Sequence, residues 1–123
     1  MATTTATILW PLPLLLVLMI FVSAANLTEG AVAQWCIADP QAPDDMLQSA
    51  LDWVCGYGGA DCSKTQPNQE CFLPDNLASH ASIAFNSYWQ KLKHQGASCY
   101  FDSAALVTES DPSHDGCEYD FVA

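Results

Sequence analysis

Hydrophobic positions in the stretch "APDDMLQSALDWVCGYGG", residues 42–59, recur at intervals of three and four residues. This spacing places them on one face of an α-helix, so it predicts a helix that buries that face. Asp44 and Asp45 suit the positively polarised first turn of this helix, and Gly56 suits its end. The buried face would consist of Met46, Leu47, Ala50, Leu51 and Val54.

A second helical pattern covers residues 76–93. Asp75, which follows Pro74, is the predicted N-cap, and Gly96 is the predicted stop. At about 100° per residue, the apolar positions of this helix form one stripe that would pack on the first helix. The stripe consists of Leu77, Ala81, Phe85, Tyr88 and Leu92.

The remaining chain alternates loops with short β-prone runs. The segment "GYGGADCSKTQPNQECFLP" between the helices is dense in Gly, Pro and Asn and is predicted to be a loop. Beyond Gly96, short β-prone runs cover residues 99–101, 105–108 and 117–121, with turn residues between them. The pattern predicts an α+β fold, a small disulfide-linked domain with two packed helices and a short antiparallel sheet.

The N-terminal part is apolar from about residue 11 to 22, a run shorter than the roughly 20 residues that span a bilayer. Small residues follow it, so we predict a secretory signal peptide over residues 1–25. An uncleaved anchor is the alternative, and two prolines in the short run argue against it. The mature chain would then have a tail over residues 26–34 and a domain over 35–121. We expect no membrane insertion after cleavage.

All six cysteines lie in the predicted mature chain. An even count in a small secreted protein predicts three disulfides. Zinc is disfavoured because the sequence lacks the short two-residue cysteine spacing and a histidine at a ligand-like interval, so we expect no metal or cofactor. Six cysteines allow 15 pairings, and their spacing does not choose among them. They are Cys36, Cys55, Cys62, Cys71, Cys99 and Cys117. Asn26 and Thr28 form a glycosylation sequon beside the new N-terminus, where modification is disfavoured.

The charge is strongly acidic, with three basic side chains, fourteen carboxylates and a formal net charge of −11. This charge repels nucleic-acid phosphates and anionic lipids, so we expect neither as a partner. A solvated acidic surface that keeps a secreted protein soluble explains it.

Catalytic motifs are missing from the sequence. Cysteine nucleophiles are excluded if the thiols form disulfides, and no "GxSxG" motif is present. Paired carboxylates could hydrolyse glycosides. However, a mature chain of about 98 residues offers little volume for a deep pocket, which typically has about 300 to 1,000 Å³. We therefore predict a protein that is not an enzyme.

The aromatic stretch "HASIAFNSYWQ" divides on a helical wheel. Phe85 and Tyr88 fall inside the apolar stripe, whereas Trp89 falls at its rim beside Asn86 and Gln90. Ile83 follows further round on the same outward flank. An aromatic rim next to amides suits a neutral polysaccharide, because sugar C–H groups stack on a ring while hydroxyls need hydrogen-bond partners. Stacking contributes about 1 to 3 kcal/mol per ring, by analogy with nucleic-acid bases. The same flank would serve a protein contact equally well, and the residues alone leave both alternatives open.

The segments "WC", "ALDWVCG", "GADCS", "QP", "ECF", "HASIAFNSYWQ", "SCYFDSAALVTESDPS" and "GCEY" together resemble the family-43 carbohydrate-binding module, the plant X-8 domain. The resemblance runs over residues 35–119 and includes all six cysteines. It implies a secreted, non-catalytic module that binds β-1,3-glucan (callose) in the plant cell wall, and some relatives act at plasmodesmata. The alternative is a wall protein that acts through protein–protein interaction or signalling without glucan.

The resemblance also implies a site and a set of disulfides. Glucan would contact Trp89, Asn86 and Gln90, with Tyr57 and Tyr88 as further aromatic contacts. The implied disulfides are Cys36–Cys99, Cys55–Cys62 and Cys71–Cys117.

The chain departs from the family pattern on the helix that carries the aromatic stretch. Ile83 stands where the family often has an aromatic, and Trp89 stands in place of a tyrosine and could offset that ring. The loop "SKTQPNQECFLP" adds Lys64 and Glu70 and lacks two glycines that the family has. With no hydrophobic tail after residue 121, the resemblance favours the free secreted form over a lipid-anchored one.

Overall fold

The computed structural model describes residues 32–123. The predicted signal peptide and the Asn26 sequon lie outside the described residues. The main elements, in chain order, are strand β1 (Trp35–Ala38), helix α1 (Asp44–Cys55), helix α2 (Leu77–Leu92) and strand β2 (Ala105–Thr108). Two short 3-10 turns cover Ser63–Thr65 and Lys93–Gln95. The α+β class predicted from the sequence is confirmed.

Both helices form where the apolar spacing predicts them. α1 ends at the predicted stop, where the Gly56 N–H donates to the Asp52 carbonyl. The N-cap of α2 is Asn76 and not Asp75, so that prediction is wrong by one residue. Asn76 has an extended backbone, and its Oδ1 accepts from the Ser79 N–H at 2.8 Å. α2 continues into the second 3-10 turn, which ends at Gly96 with a left-handed φ of 95°.

The sheet contains two antiparallel strands, with Trp35 opposite Thr108 and Ala38 opposite Ala105. The strand predicted over residues 105–108 is confirmed. β1 was missed, because its four residues "WCIA" show no apolar–polar alternation and adjoin the predicted tail. Its position next to α2 is what makes this short apolar run a strand.

Two further predicted strands are wrong. Residues 99–101 are not part of a strand, because a turn begins at Phe101, whose φ is left-handed at 51°. Residues 117–121 form no ladder, since Cys117 makes only an isolated bridge with His114. Side chains satisfy the backbone beyond that bridge; for example, the Tyr119 N–H donates to Ser113 Oγ at 2.9 Å.

The core lies on both sides of α2. One cluster joins α2 to α1 and the sheet, and its buried members include Leu47, Val54, Ala81 and Phe85. The other cluster lies between α2, the loop after α1 and the C-terminal segment, residues 113–123. It consists of Trp35, Cys71, Ile83, Cys117 and Tyr119. α2 is therefore the central element of the domain.

The three disulfides that the resemblance implies are confirmed. Cys36–Cys99 links β1 to the turn before β2 and spans 63 residues. Cys71–Cys117 spans 46 residues and contributes directly to the second cluster. Cys55–Cys62 closes a local loop of seven residues after α1.

Candidate functional site

Asn86 is buried, with 1% of its surface exposed. Its Oδ1 accepts from the Cys36 N–H at 3.1 Å, and its Nδ2 donates to the Asp120 carbonyl at 2.8 Å. The side chain thus links α2 to β1 on one side and to the C-terminal segment on the other.

Gln90 is also buried, with 2% of its surface exposed. Its Nε2 donates to the Gln34 carbonyl at 2.8 Å and to Asn86 Oδ1 at 3.1 Å. Its Oε1 accepts from the Val122 N–H at 2.9 Å. The prediction that Asn86 and Gln90 face outward is wrong, because β1 and the C-terminal segment cover that flank of α2.

Ile83 lies in the second core cluster, packed with Trp35 and Tyr119. The wheel placed it on the outward flank of α2. The structure corrects this, because the C-terminal segment packs over that flank as well. Ile83 is a core side chain, and an aromatic ring at this position would also be directed into the cluster.

Trp89 is partly buried, and its ring has a cation beside it. Lys93 Nζ lies 5.1 Å from the centroid of that ring and 5.3 Å from the centroid of Phe121. The same ammonium donates to Gln90 Oε1 at 2.7 Å and to the Val122 carbonyl. Burial lowers the pKa of Lys93. Lys93 therefore fastens the C-terminal segment to α2 and occupies part of the Trp89 surface.

The two predicted tyrosines lie in different environments. Tyr88 is partly buried and packs edge-on against Trp53 and Phe101, each at a centroid distance of 5.6 Å, as expected of a core residue. Tyr57 is 94% exposed, in the turn after α1. The structure thus joins Asn86, Gln90 and, through Lys93, Trp89, whereas Tyr88 belongs to another cluster.

A groove of about 600 Å³ lies between α1 and the turn at residues 98–102, and we call it the α1 groove. Two of its aromatic side chains are exposed, Trp53 at 46% and Tyr100 at 58%. The groove is lined by Asp45, Met46, Ser49, Ala50, Trp53, Ser98, Tyr100, Phe101 and Asp102.

The aromatic rings of the α1 groove continue into the core. Phe101 stacks on the fully buried Phe85 at a centroid distance of 4.5 Å and an interplanar angle of 13°. Trp53 lies 6.5 Å from Phe101 and meets Tyr88 edge-on. Edge-on and offset contacts of this kind stabilise aromatic clusters beyond the area they bury. The contacts with Phe101 and Tyr88 therefore fix the exposed indole of Trp53 in position.

The turn that forms the other wall is held at both ends. Cys99 is bonded to Cys36 of β1, and the Ala105 N–H donates to the Tyr100 carbonyl at 3.1 Å. Three successive residues, 101–103, have left-handed φ angles of 51°, 53° and 70°. Ser103 Oγ donates to the Tyr100 hydroxyl at 3.0 Å and orients the phenol ring.

Trp53 and Tyr100 were not predicted as site residues from the sequence, although a signal existed for Trp53. Trp53 lies two helical turns after Met46 and therefore at the rim of the apolar face of α1, as Trp89 does on α2. Tyr100 was assigned to a strand, and its exposure depends on the left-handed turn that follows it. No local pattern in the sequence predicts that turn.

A second cavity of about 520 Å³ lies between α2 and the C-terminal segment. It shares no lining residue with the α1 groove. Its lining includes Gly59, Asp61, Ser87, Gln90, Lys91, Asp120, Phe121 and Val122. A hydrogen bond from the Ser63 hydroxyl lowers the pKa of Asp61, which lies at the edge of this cavity.

Within residues 32–123, no group of three or more His, Cys, Asp or Glu side chains is arranged to bind a metal ion. No helix in that part of the chain is long and apolar enough to cross a membrane.

Comparison with known proteins finds a matching family and several relatives. The model of the X8 domain family matches residues 34–106. Glucan endo-1,3-beta-glucosidase 4 of Arabidopsis thaliana is 47% identical over 87 residues, which cover 71% of this chain and 17% of that protein. Plasmodesmata callose-binding protein 1 of Arabidopsis thaliana is 45% identical over 94 residues, 76% of this chain and 46% of that protein.

Plasmodesmata callose-binding protein 2, also of Arabidopsis thaliana, is 39% identical over 107 residues, 87% of this chain and 53% of that protein. The chain thus spans about half the length of the two callose-binding relatives and a smaller share of the glucosidase. No solved structure matches the chain. Because the family model covers more than half of the chain and includes β1, both helices and most of the cysteines, the chain belongs to the X8 domain family.

Proposed function

We propose that this X8 domain binds β-1,3-glucan and does not hydrolyse it. The observation that carries the proposal is a set of exposed indole and phenol rings on a scaffold fixed by three disulfides. The rings are Trp53, Tyr57 and Tyr100. Two relatives whose names state callose binding support the choice of glucan.

The chemistry of the ligand fits such a surface. A β-linked glucan presents C–H groups that stack on an aromatic face, and each such contact is worth about 1 to 3 kcal/mol by analogy with nucleic-acid bases. Rings that are already fixed lose little conformational entropy when a ligand binds. The strong negative charge of the domain, −11 over the whole chain, favours a neutral polysaccharide over an anionic one.

Of the residues that the sequence suggested, Tyr57 and Trp89 fit this proposal best. Tyr57 is almost fully exposed, and Trp89 keeps part of its surface accessible. Tyr88 would support the exposed ring of Trp53 from below. Asn86 and Gln90 do not contact the ligand in the proposal, because their polar atoms are already bonded inside the domain. Their role would be to fix the elements that surround α2.

We also propose that the domain works outside the cell, in the wall. Three disulfides are typical of proteins that fold in an oxidising compartment. The apolar N-terminal run would supply the signal peptide, and relatives named for plasmodesmata suggest the region of the wall.

Affinity electrophoresis tests the binding. The refolded domain with its three disulfides should migrate more slowly in a gel that contains laminarin, a soluble β-1,3-glucan, than in a gel with soluble β-1,4-glucan. Equal mobility in the two gels would contradict glucan binding.

Hydrolysis is tested separately by incubating the same protein with laminarin at high protein concentration. We expect no increase in reducing ends. An increase that scales with protein concentration would overturn the non-catalytic part of the proposal.

A further inference from the structure

The α1 groove combines two exposed aromatic side chains with hydrogen-bonding groups. Trp53 forms one wall, on α1, and Tyr100 forms the other, on the turn before β2. Asp45 and Asp102 contribute carboxylates, which accept hydrogen bonds from hydroxyl groups. Sites for small polar ligands commonly pair apolar walls with a few polar groups in this way.

The Trp53 wall is fixed before any ligand binds. Its ring meets Tyr88 edge-on at 5.6 Å and lies 6.5 Å from Phe101. On another side, a Cβ atom added to Gly58 would lie only 3.0 Å from Trp53 Cζ3, so the indole packs closely against that backbone. Nearly half of the Trp53 residue surface remains exposed despite these contacts.

The turn that carries Tyr100 has a backbone conformation that costs free energy. Left-handed φ angles at residues 101–103 disfavour side chains with a Cβ, and none of the three is glycine. Such strain persists only where the surroundings enforce it, and it concentrates at ligand-binding sites. Here the Cys36–Cys99 disulfide and the stack of Phe101 on Phe85 enforce it.

The charge of the α1 groove narrows the class of ligand. Two of its nine lining residues are acidic and none is basic. A carboxylate-bearing polymer or a phosphate would be repelled, whereas a neutral chain of sugar rings would meet aromatic faces and hydrogen-bond acceptors.

The flank of α2 that the sequence suggested exposes less surface to a ligand than the α1 groove does. Asn86 and Gln90 are buried with their amides bonded to backbone, and Lys93 lies 5.1 Å from the Trp89 ring. These groups hold the domain together and leave little surface for a sugar ring.

We propose that the α1 groove is the subsite that holds β-1,3-glucan. In this proposal, which rests on the proposed glucan binding, Trp53 and Tyr100 each stack on a sugar ring. Asp45 and Asp102 accept hydrogen bonds from the sugar hydroxyls.

The test measures laminarin affinity by titration calorimetry for single variants of the disulfide-bonded domain. Trp53→Ala and Tyr100→Ala should each weaken binding by about 5- to 150-fold, because a lost stacking contact of about 1 to 3 kcal/mol corresponds to such a change. Trp53→Phe should recover part of the affinity, since it keeps a ring. Near-ultraviolet circular dichroism confirms that each variant is folded.

Phe121→Ala is the matched control. Phe121 is 48% exposed, close to the value for Trp53, but it lines the other cavity, so its removal should leave laminarin affinity unchanged. If the wild-type domain binds laminarin and folded Trp53→Ala and Tyr100→Ala variants bind equally well, the subsite proposal is overturned while glucan binding stands. A loss confined to Tyr57→Ala or Trp89→Ala would move the subsite to those residues. If the wild-type domain itself does not bind laminarin, the proposed function fails.

Discussion

Asn86 is a single amide that joins three separate parts of the chain. Its carbonyl oxygen receives the N–H of Cys36 in β1 and an N–H of Gln90, and its amide nitrogen donates to Asp120 in the C-terminal segment. This helix side chain supplies hydrogen-bond partners to the backbone of two neighbouring segments. In a larger sheet, further strands would supply them. Buried backbone groups need such partners in a small domain with only two strands.

Asn86→Ala should therefore destabilise the domain although it removes no charge and little apolar surface. The buried Cys36 N–H and the partly buried Asp120 carbonyl lose their partners. An unsatisfied buried group costs about 1 to 3 kcal/mol, and a partly buried one costs less. We expect the free energy of unfolding to fall by about 2 to 4 kcal/mol in urea denaturation with the disulfides intact.

Gln48→Ala is the control for that experiment. Gln48 also forms a side-chain amide hydrogen bond, to Asp52 Oδ1, but on the exposed surface of α1. Its removal should change stability by less than about 0.5 kcal/mol. Equal effects of the two substitutions would contradict the structural role of Asn86.

Tyr119 predicts a dependence of stability on alkaline pH. Burial in the second core cluster raises the pKa of its hydroxyl, and a hydrogen bond with Ser82 acts in the opposite direction. Because the folded pKa lies above the unfolded value of about 10, the stabilising effect is complete below that pH and is lost as pH rises through the folded pKa.

The free energy of unfolding of the wild-type domain should accordingly fall more steeply above about pH 10 than that of Tyr119→Phe. The comparison cancels the contribution of Lys93, whose lowered pKa acts with the opposite sign in both proteins. Parallel pH profiles for the two proteins would show that Tyr119 ionises as freely in the folded state as in the unfolded state.

At the scale of the elements, the helices could be predicted from sequence and the sheet only in part. A helix carries its own signal, because Leu47, Ala50 and Val54 recur with the helical period along the chain. β1 has no such signal, since its strand character depends on β2, which lies far away in sequence. The segment after Cys117 was assigned to a strand because its residues are β-prone. That prediction is wrong because its backbone partners are side chains of α2, which a local pattern does not reveal.

The difference between local patterns and contacts distant in sequence also explains why the surroundings of the predicted site residues differ from those expected. Trp89, Asn86 and Gln90 were placed on an outward flank because a helical wheel assumes that only one side of α2 is covered. The structure covers two sides, and the C-terminal segment that covers the second lies about thirty residues further along the chain. Prediction of the α1 groove requires knowing that α1 and the turn at residues 98–102 lie next to each other. Their sequences alone do not contain that information.

The disulfides differ in what they contribute to stability. On the chain-entropy model, closure of a loop of 63 residues stabilises the fold by about 4 kcal/mol, and closure of one of seven by about 2 kcal/mol. Replacement of the Cys36–Cys99 pair by alanines should therefore lower the free energy of unfolding by about twice as much as replacement of the Cys55–Cys62 pair. Denaturant titrations of the two double variants measure this difference. An equal loss would mean that native contacts, rather than loop closure, determine the effect.

At the scale of the whole molecule, the charge is unbalanced. Three lysines oppose fourteen carboxylates, and two of those lysines already have partners. Lys64 pairs with Asp120 at 3.2 Å, and Lys93 contacts the Val122 carbonyl, Gln90 Oε1 and two aromatic rings. The folded domain brings the remaining carboxylates closer together than the unfolded chain does. Their mutual repulsion opposes folding, and dissolved salt screens it.

Added sodium chloride should consequently raise the melting temperature of the domain. Laminarin affinity should change by less than about twofold over the same range, because a neutral polysaccharide gains nothing from long-range charge. Differential scanning calorimetry and titration calorimetry measure the two quantities on the same sample. A fall in affinity with salt would point to a charged ligand instead.

The arrangement of the disulfides has a consequence for biosynthesis. Cys36–Cys99 and Cys71–Cys117 interleave, because Cys71 lies within the span of the first pair and Cys99 lies within the span of the second. While the chain is being made, Cys36, Cys55, Cys62 and Cys71 all emerge before either long-range partner, and short loops close at lower entropic cost than long ones. Among these four cysteines only Cys55–Cys62 is a native pair. Any other early pair must later be exchanged, a reaction that takes seconds to hours and that isomerases accelerate. Production of the domain should thus depend on the thiol-exchange capacity of the secretory compartment more than on the stability of the finished fold.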